Sequence, residues 1–156
     1  MSNLDLSSPA FSPGATIPVS HTCDGADRSP ALSWSTPPQG TRSLVLIVDD
    51  PDAPGGTFVH WLLYSIPPST TDLKEGMPTT PALTEPAGAK QGRNGFGRIG
   101  YGGPCPPPGK PHRYFFRLYA LDNENSLAAG ASRAHLDEAT AGHVLATGEL
   151  MGVYGR

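Results

Sequence analysis

Residues 44–66 read LVLIVDDPDAPGGTFVHWLLYSI and contain two strand-like runs on either side of a turn. The first run, 44–48, is continuously apolar and β-branched, which is typical of a strand covered on both faces. The second run, Phe58–Ile66, has strand composition and is followed by two prolines. Proline and glycine residues interrupt regular structure between the two runs. The stretch therefore predicts a hairpin of neighbouring strands.

A third strand is predicted at His112–Leu121, where one alternating set of residues is clearly more apolar than the other. Weaker strands are expected at 16–20 and 31–35. The stretch 69–99 is rich in Gly, Pro and Thr and has little periodicity. We expect it to form loops with short β segments and to contribute part of a pocket rim.

The C-terminal region carries the best helical pattern. Ser132 is a suitable N-cap, and an apolar stripe follows it. Gly142 and Gly148 weaken this pattern. We therefore expect one or two short helices within 133–150, in an architecture that is otherwise mainly β.

Length and composition indicate one domain over 1–156. A chain of 156 residues can bury about two thirds of its unfolded surface without metals or disulfides. The 19 glycines and 18 prolines fit the turns of a chain rich in short strands. A net charge of −3 with 11 Lys and Arg residues argues against nucleic acid as a partner.

The sequence contains neither a run of 18 apolar residues nor a positively charged leader with an apolar core. We therefore expect a soluble, cytoplasmic protein without a transmembrane segment. A signal peptide removed before residue 1 would leave the same pattern.

Two segments place carboxylates and imidazoles beside the predicted strands. Asp50 and Asp52 follow the first strand, His60 lies near the start of the second, and His112 begins the third. We expect these groups to share a pocket for a small anionic or zwitterionic ligand. An Asp bonded to a His raises the His pKa and fixes its tautomer. The two carboxylates would thus charge the two imidazoles, which would donate to a phosphate, sulfate or carboxylate.

The same hypothesis assigns a role to Gly102 and Gly103, whose amides could approach the anion closely and form a backbone nest. A carboxylate left partly free would accept an ammonium group, so that the site would suit a zwitterion such as phosphoethanolamine. The simpler interpretation treats 50–54 as a turn stiffened by proline, in which Asp side chains cap backbone amides. In that interpretation His60 is an ordinary strand residue.

Cys23 and Cys105 are the two cysteines, 82 positions apart. Two cysteines could form one disulfide, but thiols stay reduced in the cytosol. Together with the cytoplasmic expectation, this favours free thiols over a bridge.

These residues give the chain a resemblance to the phosphatidylethanolamine-binding protein family, in particular to its bacterial, Raf kinase inhibitor-like branch. The resemblance covers nearly the whole chain, and several ordered motifs carry it. They are Cys23-Asp-Gly25 with Asp27, Ser29-Pro-Ala-Leu-Ser-Trp34, Asp50-Pro-Asp-Ala-Pro54, His60-Trp61, Gly100 to Pro104, His112-Arg-Tyr114 and the region 142–154.

The resemblance implies a predominantly β fold with a large central antiparallel sheet, a smaller second sheet and short C-terminal helices. It also implies a small anion pocket at one end of the large sheet. By motif position the ligand-binding residues are Asp50, Asp52, Pro54, His60, Gly103, Pro104, His112 and Tyr114, with Phe58 as an aromatic wall residue. The chain departs from many relatives in its short 55–59 connection and its proline-rich 105–108 segment.

The predicted function is non-catalytic binding of a small phosphate-bearing ligand or phospholipid headgroup, with a regulatory role and without a cofactor. One alternative is inhibition of a kinase or protease through a protein interface shaped by 69–99. The other is metal-assisted hydrolysis by the Asp and His side chains. The sequence contains neither a His-Glu-x-x-His motif nor a Gly-x-Ser-x-Gly motif.

Overall fold

A computed structural model describes residues 2–156 of the chain. Within this part, it contains eight strands, one α-helix and a 3-10 turn at Val19–His21. In chain order the strands and helix are β1 (Ser2–Asn3), β2 (Leu32–Ser33), β3 (Ser43–Asp50), β4 (Phe58–Ile66), β5 (Asp72–Leu73), β6 (Lys90–Gln91), β7 (His112–Leu121), α1 (Arg133–Thr140) and β8 (Val144–Tyr154). None of the described helices has the length and apolar character needed to cross a membrane.

The larger sheet has six strands in the order β1-β8-β7-β3-β4-β6, and β2 pairs with β5 in a smaller sheet. All neighbours from β8 to β6 are antiparallel, whereas the short edge strand β1 runs parallel to β8. The prediction of a mainly β fold with a large antiparallel sheet and a smaller second sheet is therefore confirmed. The β3–β4 hairpin and β7 lie where their sequence patterns predicted them.

The weaker strand predictions have mixed outcomes. Strand β2 falls within the predicted 31–35, and the stretch 69–99 contains only the short strands β5 and β6 among its described residues. The strand predicted at 16–20 is wrong, because Thr16 makes one isolated bridge to Val153 and the 3-10 turn then begins. Pro18 lies between these two features, and its missing N–H cannot extend a ladder.

The second half of the predicted C-terminal helical region is a strand. The helix α1 begins after Ser132, whose side chain accepts a bond from the amide of His135 at 3.2 Å. After Gly142, which has a φ of 80°, the chain becomes β8 and pairs with β7 along its length. The buried residues of β8 include Ala146 and Leu150. Residues four apart share a face in a strand as well as in a helix, so the apolar spacing was compatible with both.

Strand β3 is buried along its whole length because both faces of the larger sheet are covered. Leu44, Leu46 and Val48 belong to a core cluster that also contains Leu32 and Leu73 of the smaller sheet. The alternate apolar residues of β3 belong to a second cluster, which includes the buried face of α1. The continuous apolar run is thus explained by two cores, one on each side of the strand.

The topology brings the predicted polar residues to one end of the larger sheet. Strand β3 lies between β4 and β7, and it is antiparallel to both. Its last residue, Asp50, therefore pairs with Phe58 at the start of β4. The first residues of β7 lie at the same end, since Asp49 is opposite Phe115.

Candidate functional site

A cavity of about 220 Å³ opens at this end of the sheet. Its lining residues are Asp50, Ala53, Pro54, Phe58, His60, Phe96, Cys105, Pro106, Pro107, His112 and Tyr114. Four larger clefts, of about 350, 620, 630 and 890 Å³, lie elsewhere. Their described lining residues include no histidine, so chemistry rather than size identifies the smaller cavity as the candidate site.

Asp50 holds the imidazole of His112 at the cavity. His112 Nδ1 lies 2.7 Å from Asp50 Oδ2, and the side chains are 12% and 4% exposed. The other carboxylate oxygen, Oδ1, accepts the amide of Asp52 at 2.8 Å. Since a carboxylate accepts the bond, Nδ1 carries the proton and Nε2 is left for a ligand.

His60 is oriented by backbone rather than by a carboxylate. Its Nδ1 donates to the carbonyl of Gly102 at 2.7 Å. Burial lowers the pKa of the His60 imidazole, and the opposing bond to Gly102 and the charge of Asp50 only partly offset this. The prediction that both imidazoles are charged is therefore wrong for His60. A neutral ring with its proton on Nδ1 presents Nε2 as an acceptor.

The lowered pKa of His60 predicts how stability depends on pH. In the unfolded chain His60 binds a proton below about pH 6.5, whereas the folded state binds it only at a lower pH. The contribution of neutral His60 to the free energy of unfolding is therefore fully present above about pH 6.5. It falls as the pH drops from there toward the pKa of His60 in the folded state, by at most about 1.4 kcal/mol per pH unit. Urea unfolding between pH 7.5 and 5 should show a smaller loss in a His60→Gln variant. Parallel curves would contradict a lowered His60 pKa.

Tyr114 contributes a buried hydroxyl to the cavity. The residue is 1% exposed, and its Oη has no hydrogen-bond partner among the described residues. Burial raises the pKa of Tyr114, and the nearby charge of Asp50 raises it further. The hydroxyl therefore keeps its proton; it lies near the Asp50 carboxylate but makes no hydrogen bond of good geometry to it, so a ligand can compete for this donor. A buried polar group without a partner costs stability, and a ligand could satisfy it.

Asp52 does not hold an imidazole. Arg113 donates to it three times, from its amide and Nε to Oδ2 and from Nη2 to Oδ1, each at 2.9 Å. These bonds lower the pKa of Asp52 to about 2. The assignment of Asp52 to the pair of carboxylates that charge the histidines is therefore wrong. Asp52 instead ties the turn after β3 to the start of β7.

The predicted backbone nest is also absent from the described structure, because both amides are already bonded. Gly102 N–H donates to the carbonyl of His60 at 2.9 Å, and Gly103 N–H donates to Asp27 Oδ1 at 2.8 Å. Pro104 does not line the cavity, and its carbonyl accepts the amide of Cys23. Gly103 and Pro104 thus hold the segment beside the pocket, whereas Pro54 lies in the cavity wall.

An aromatic wall closes one side of the cavity. Phe58 packs edge-to-face on Phe96 with ring centroids 4.7 Å apart, and on His60 at 4.9 Å. A Cβ at Gly95 would lie 2.5 Å from the Phe58 ring, and one at Gly102 would lie 2.6 Å from the Phe96 ring. Glycine is needed at both positions to admit the rings. Phe96 was not among the predicted site residues, although the glycines on either side of it were an available signal.

Cys23 and Cys105 form a disulfide with Cα atoms 5.4 Å apart. The expectation of free thiols is therefore wrong. The loops meet at the pocket wall, where the amide of Cys23 also donates to the carbonyl of Pro104 at 3.1 Å. Disulfides are typical of oxidising compartments and of intracellular proteins from hyperthermophiles. The cytoplasmic location stays a prediction.

Metal ligands were the basis of the hydrolase alternative. Among residues 2–156, no group of three or more His, Cys, Asp or Glu side chains is arranged to hold a metal ion. The polar groups that do meet in the cavity are one carboxylate, two imidazoles and one phenol.

Comparisons with known proteins agree with this architecture. A family model described as phosphatidylethanolamine-binding protein matches residues 7–155. A UPF0098 protein of Aquifex aeolicus is 49% identical over 155 residues, covering 98% of this chain and 89% of the relative. One from Methanothermobacter thermautotrophicus is 48% identical over 153 residues, covering 98% of this chain and 99% of the relative.

Solved structures extend the comparison to the fold. The crystal structure of a phosphatidylethanolamine-binding protein homologue from Chlamydia trachomatis superposes with a TM-score of 0.89 at 42% identity, covering 100% of this chain and 99% of the other. E. coli YbcL, described as a member of the mammalian PEBP family, superposes with a TM-score of 0.91 at 36% identity and 99% coverage of both chains. The chain therefore belongs to the phosphatidylethanolamine-binding protein family.

Proposed function

We propose that this protein binds a small phosphate-bearing or zwitterionic ligand, of the phosphoethanolamine type, in the cavity at the end of the larger sheet, without chemically converting it. The observation that carries the proposal is the meeting of two ligand-facing groups in one cavity. These are the unpartnered hydroxyl of Tyr114 and the imidazole of His112 held by Asp50. Family membership supports a binding protein of this type.

The polar groups suit a ligand that both accepts and donates hydrogen bonds. Tyr114 Oη–H donates to a phosphate oxygen, and His112 donates from Nε2 when its ring carries two protons. His60 Nε2 is an acceptor for a proton on the ligand. The carboxylate of Asp50 adds a negative charge to the cavity. Beside it, an ammonium group of the ligand is favoured over a further negatively charged group. A phosphate carrying an aminoalkyl group meets these requirements better than a bare phosphate dianion.

The rest of the cavity suits a short organic substituent. Phe58, Phe96, Pro106 and Pro107 present apolar surface around the polar groups. Apolar walls with a few convergent polar groups are typical of small-molecule sites. Inhibition of a kinase or protease through an interface stays a prediction, since none of the described contacts favours it.

Calorimetric titration with O-phosphoethanolamine, inorganic phosphate and ethanolamine tests the proposal. Tyr114→Phe should weaken O-phosphoethanolamine binding about 10- to 100-fold, as expected when a hydrogen bond to a charged group is lost. The same substitution should raise the free energy of unfolding by about 1 kcal/mol, since it removes a buried hydroxyl that has no partner. A structural role for that hydroxyl would produce the opposite change in stability.

Tyr64→Phe is the matched control. The Tyr64 hydroxyl donates to the carbonyl of Ala128 at 2.5 Å and accepts the amide of Ala131 at 3.2 Å. Its loss should therefore reduce stability and leave ligand affinity unchanged. Normal affinity in Tyr114→Phe would contradict the proposed site. Release of inorganic phosphate from O-phosphoethanolamine would contradict the non-catalytic assignment.

A further inference from the structure

The disulfide lies directly at the wall of the candidate pocket. Cys105 and the two residues after it, Pro106 and Pro107, line the cavity. Its partner, Cys23, belongs to the loop after the 3-10 turn, 82 positions earlier in the chain. Breaking this bond would therefore affect the cavity wall directly, without any rearrangement of the sheet.

The wall has few other attachments. The three prolines at 106–108 have no N–H group to donate. In the described part of the chain, no backbone hydrogen bond joins 105–108 to another segment. The nearest backbone bonds are made by the carbonyl of Pro104 and the amide of Gly109. Between these two points the wall is held by the disulfide and by the packing of the buried Pro106.

The bond is also accessible to a reductant. Cys23 is exposed, whereas Cys105 is half-buried. Arg156 Nη2 lies 2.9 Å from Cys105 Sγ and 3.3 Å from Cys23 Sγ. An external thiol would attack at Cys23, the more exposed of the two residues. A nearby guanidinium would stabilise the Cys105 thiolate as it leaves.

We propose that the Cys23–Cys105 disulfide is a redox switch of the ligand pocket, closed when oxidised and loosened when reduced. The inference rests on the proposed ligand binding. A dithiol reductant first forms a mixed disulfide with Cys23 and expels the Cys105 thiolate. Its second thiol then releases Cys23, so that the reagent leaves as a disulfide and the protein gains two electrons and two protons as thiols. The 105–108 wall is then free of the Cys23 loop, and the cavity loses its defined shape.

Titration of O-phosphoethanolamine into the protein before and after treatment with dithiothreitol tests the switch. We expect the reduced protein to bind at least about tenfold more weakly and reoxidation to restore the affinity. The double variant Cys23→Ser with Cys105→Ser should bind weakly with or without dithiothreitol. Equal affinity in the two redox states would overturn the proposal. Loss of far-UV circular dichroism on reduction would also overturn it, because the bond would then maintain the whole fold.

Hydrogen exchange separates the switch from the proposed function, since it needs no ligand. On reduction, exchange should become faster at the amides of Cys23 and Gly109, whose bonds to the carbonyls of Pro104 and Arg156 flank the wall, and should stay unchanged in β3. If the oxidised protein bound no phosphate compound but showed this increase, the ligand proposal would be wrong and the redox release of the wall would stand. Unchanged exchange at these amides would overturn the switch.

Discussion

Replacing His112 with Ala is expected to weaken binding of O-phosphoethanolamine at least about 30-fold, which corresponds to about 2 kcal/mol. The substitution removes the imidazole that Asp50 holds at the cavity through a 2.7 Å bond, and with it the Nε2 group that is left for the ligand. It also leaves the Asp50 carboxylate, which is 3% exposed, without its imidazole partner. An unpaired negative charge in the cavity repels an anionic ligand.

His143→Ala is a matched control for this prediction. His143 Nδ1 makes a bond of the same length, 2.7 Å, to Asp122 Oδ1, but these side chains are 43% and 47% exposed and do not line the cavity. Ligand affinity should therefore stay unchanged in this variant. Thermal unfolding of both variants checks that the fold is retained. Wild-type affinity in His112→Ala would show that the ligand does not use this ring.

Removing the disulfide should have the largest effect on stability. Changing Cys23 and Cys105 together to Ser is expected to lower the free energy of unfolding by about 4 to 5 kcal/mol. The bond joins positions 82 apart, and closing a loop of that length restricts the unfolded chain strongly. Domains are typically stable by only about 5 to 15 kcal/mol. The variant should therefore remain folded at room temperature, but with a much smaller free energy of unfolding.

Urea unfolding of wild type and variant measures this difference. Wild-type protein in dithiothreitol should approach the stability of the double Ser variant, whereas the variant itself should not respond to the reductant. A difference smaller than about 1 kcal/mol would contradict the expected contribution of loop closure.

The predicted strands succeeded where the local pattern allowed one interpretation. The continuous apolar run in β3 and the alternation in β7 are strand patterns, and the prolines after β4 mark its end. The prediction failed in β8, where an apolar spacing of four residues fits both a helix and a strand. Pairing with β7 along its full length decided that segment.

The structure brings some of the predicted site residues to one cavity and gives several others different hydrogen-bond partners from those predicted. Asp50, His60, His112 and Tyr114 line one cavity, and their participation in ligand binding is a proposal that the variants above test. Asp52 does not bond an imidazole, because the amide and guanidinium of Arg113 occupy its two carboxylate oxygens. Such competition depends on which groups lie within hydrogen-bonding distance in the folded chain. A sequence motif does not contain that information.

By itself, the sequence determined strands β3, β4 and β7 and the residue types at their ends, because apolar runs, alternation and proline or glycine breaks act locally. Only the tertiary structure decided that Asp50 holds His112, that Phe96 completes the wall and that the two cysteines are joined. These contacts join segments far apart in the chain. Their formation depends on strand order, on side-chain direction and on competition for hydrogen-bond partners, and each of these is set by the packed fold as a whole.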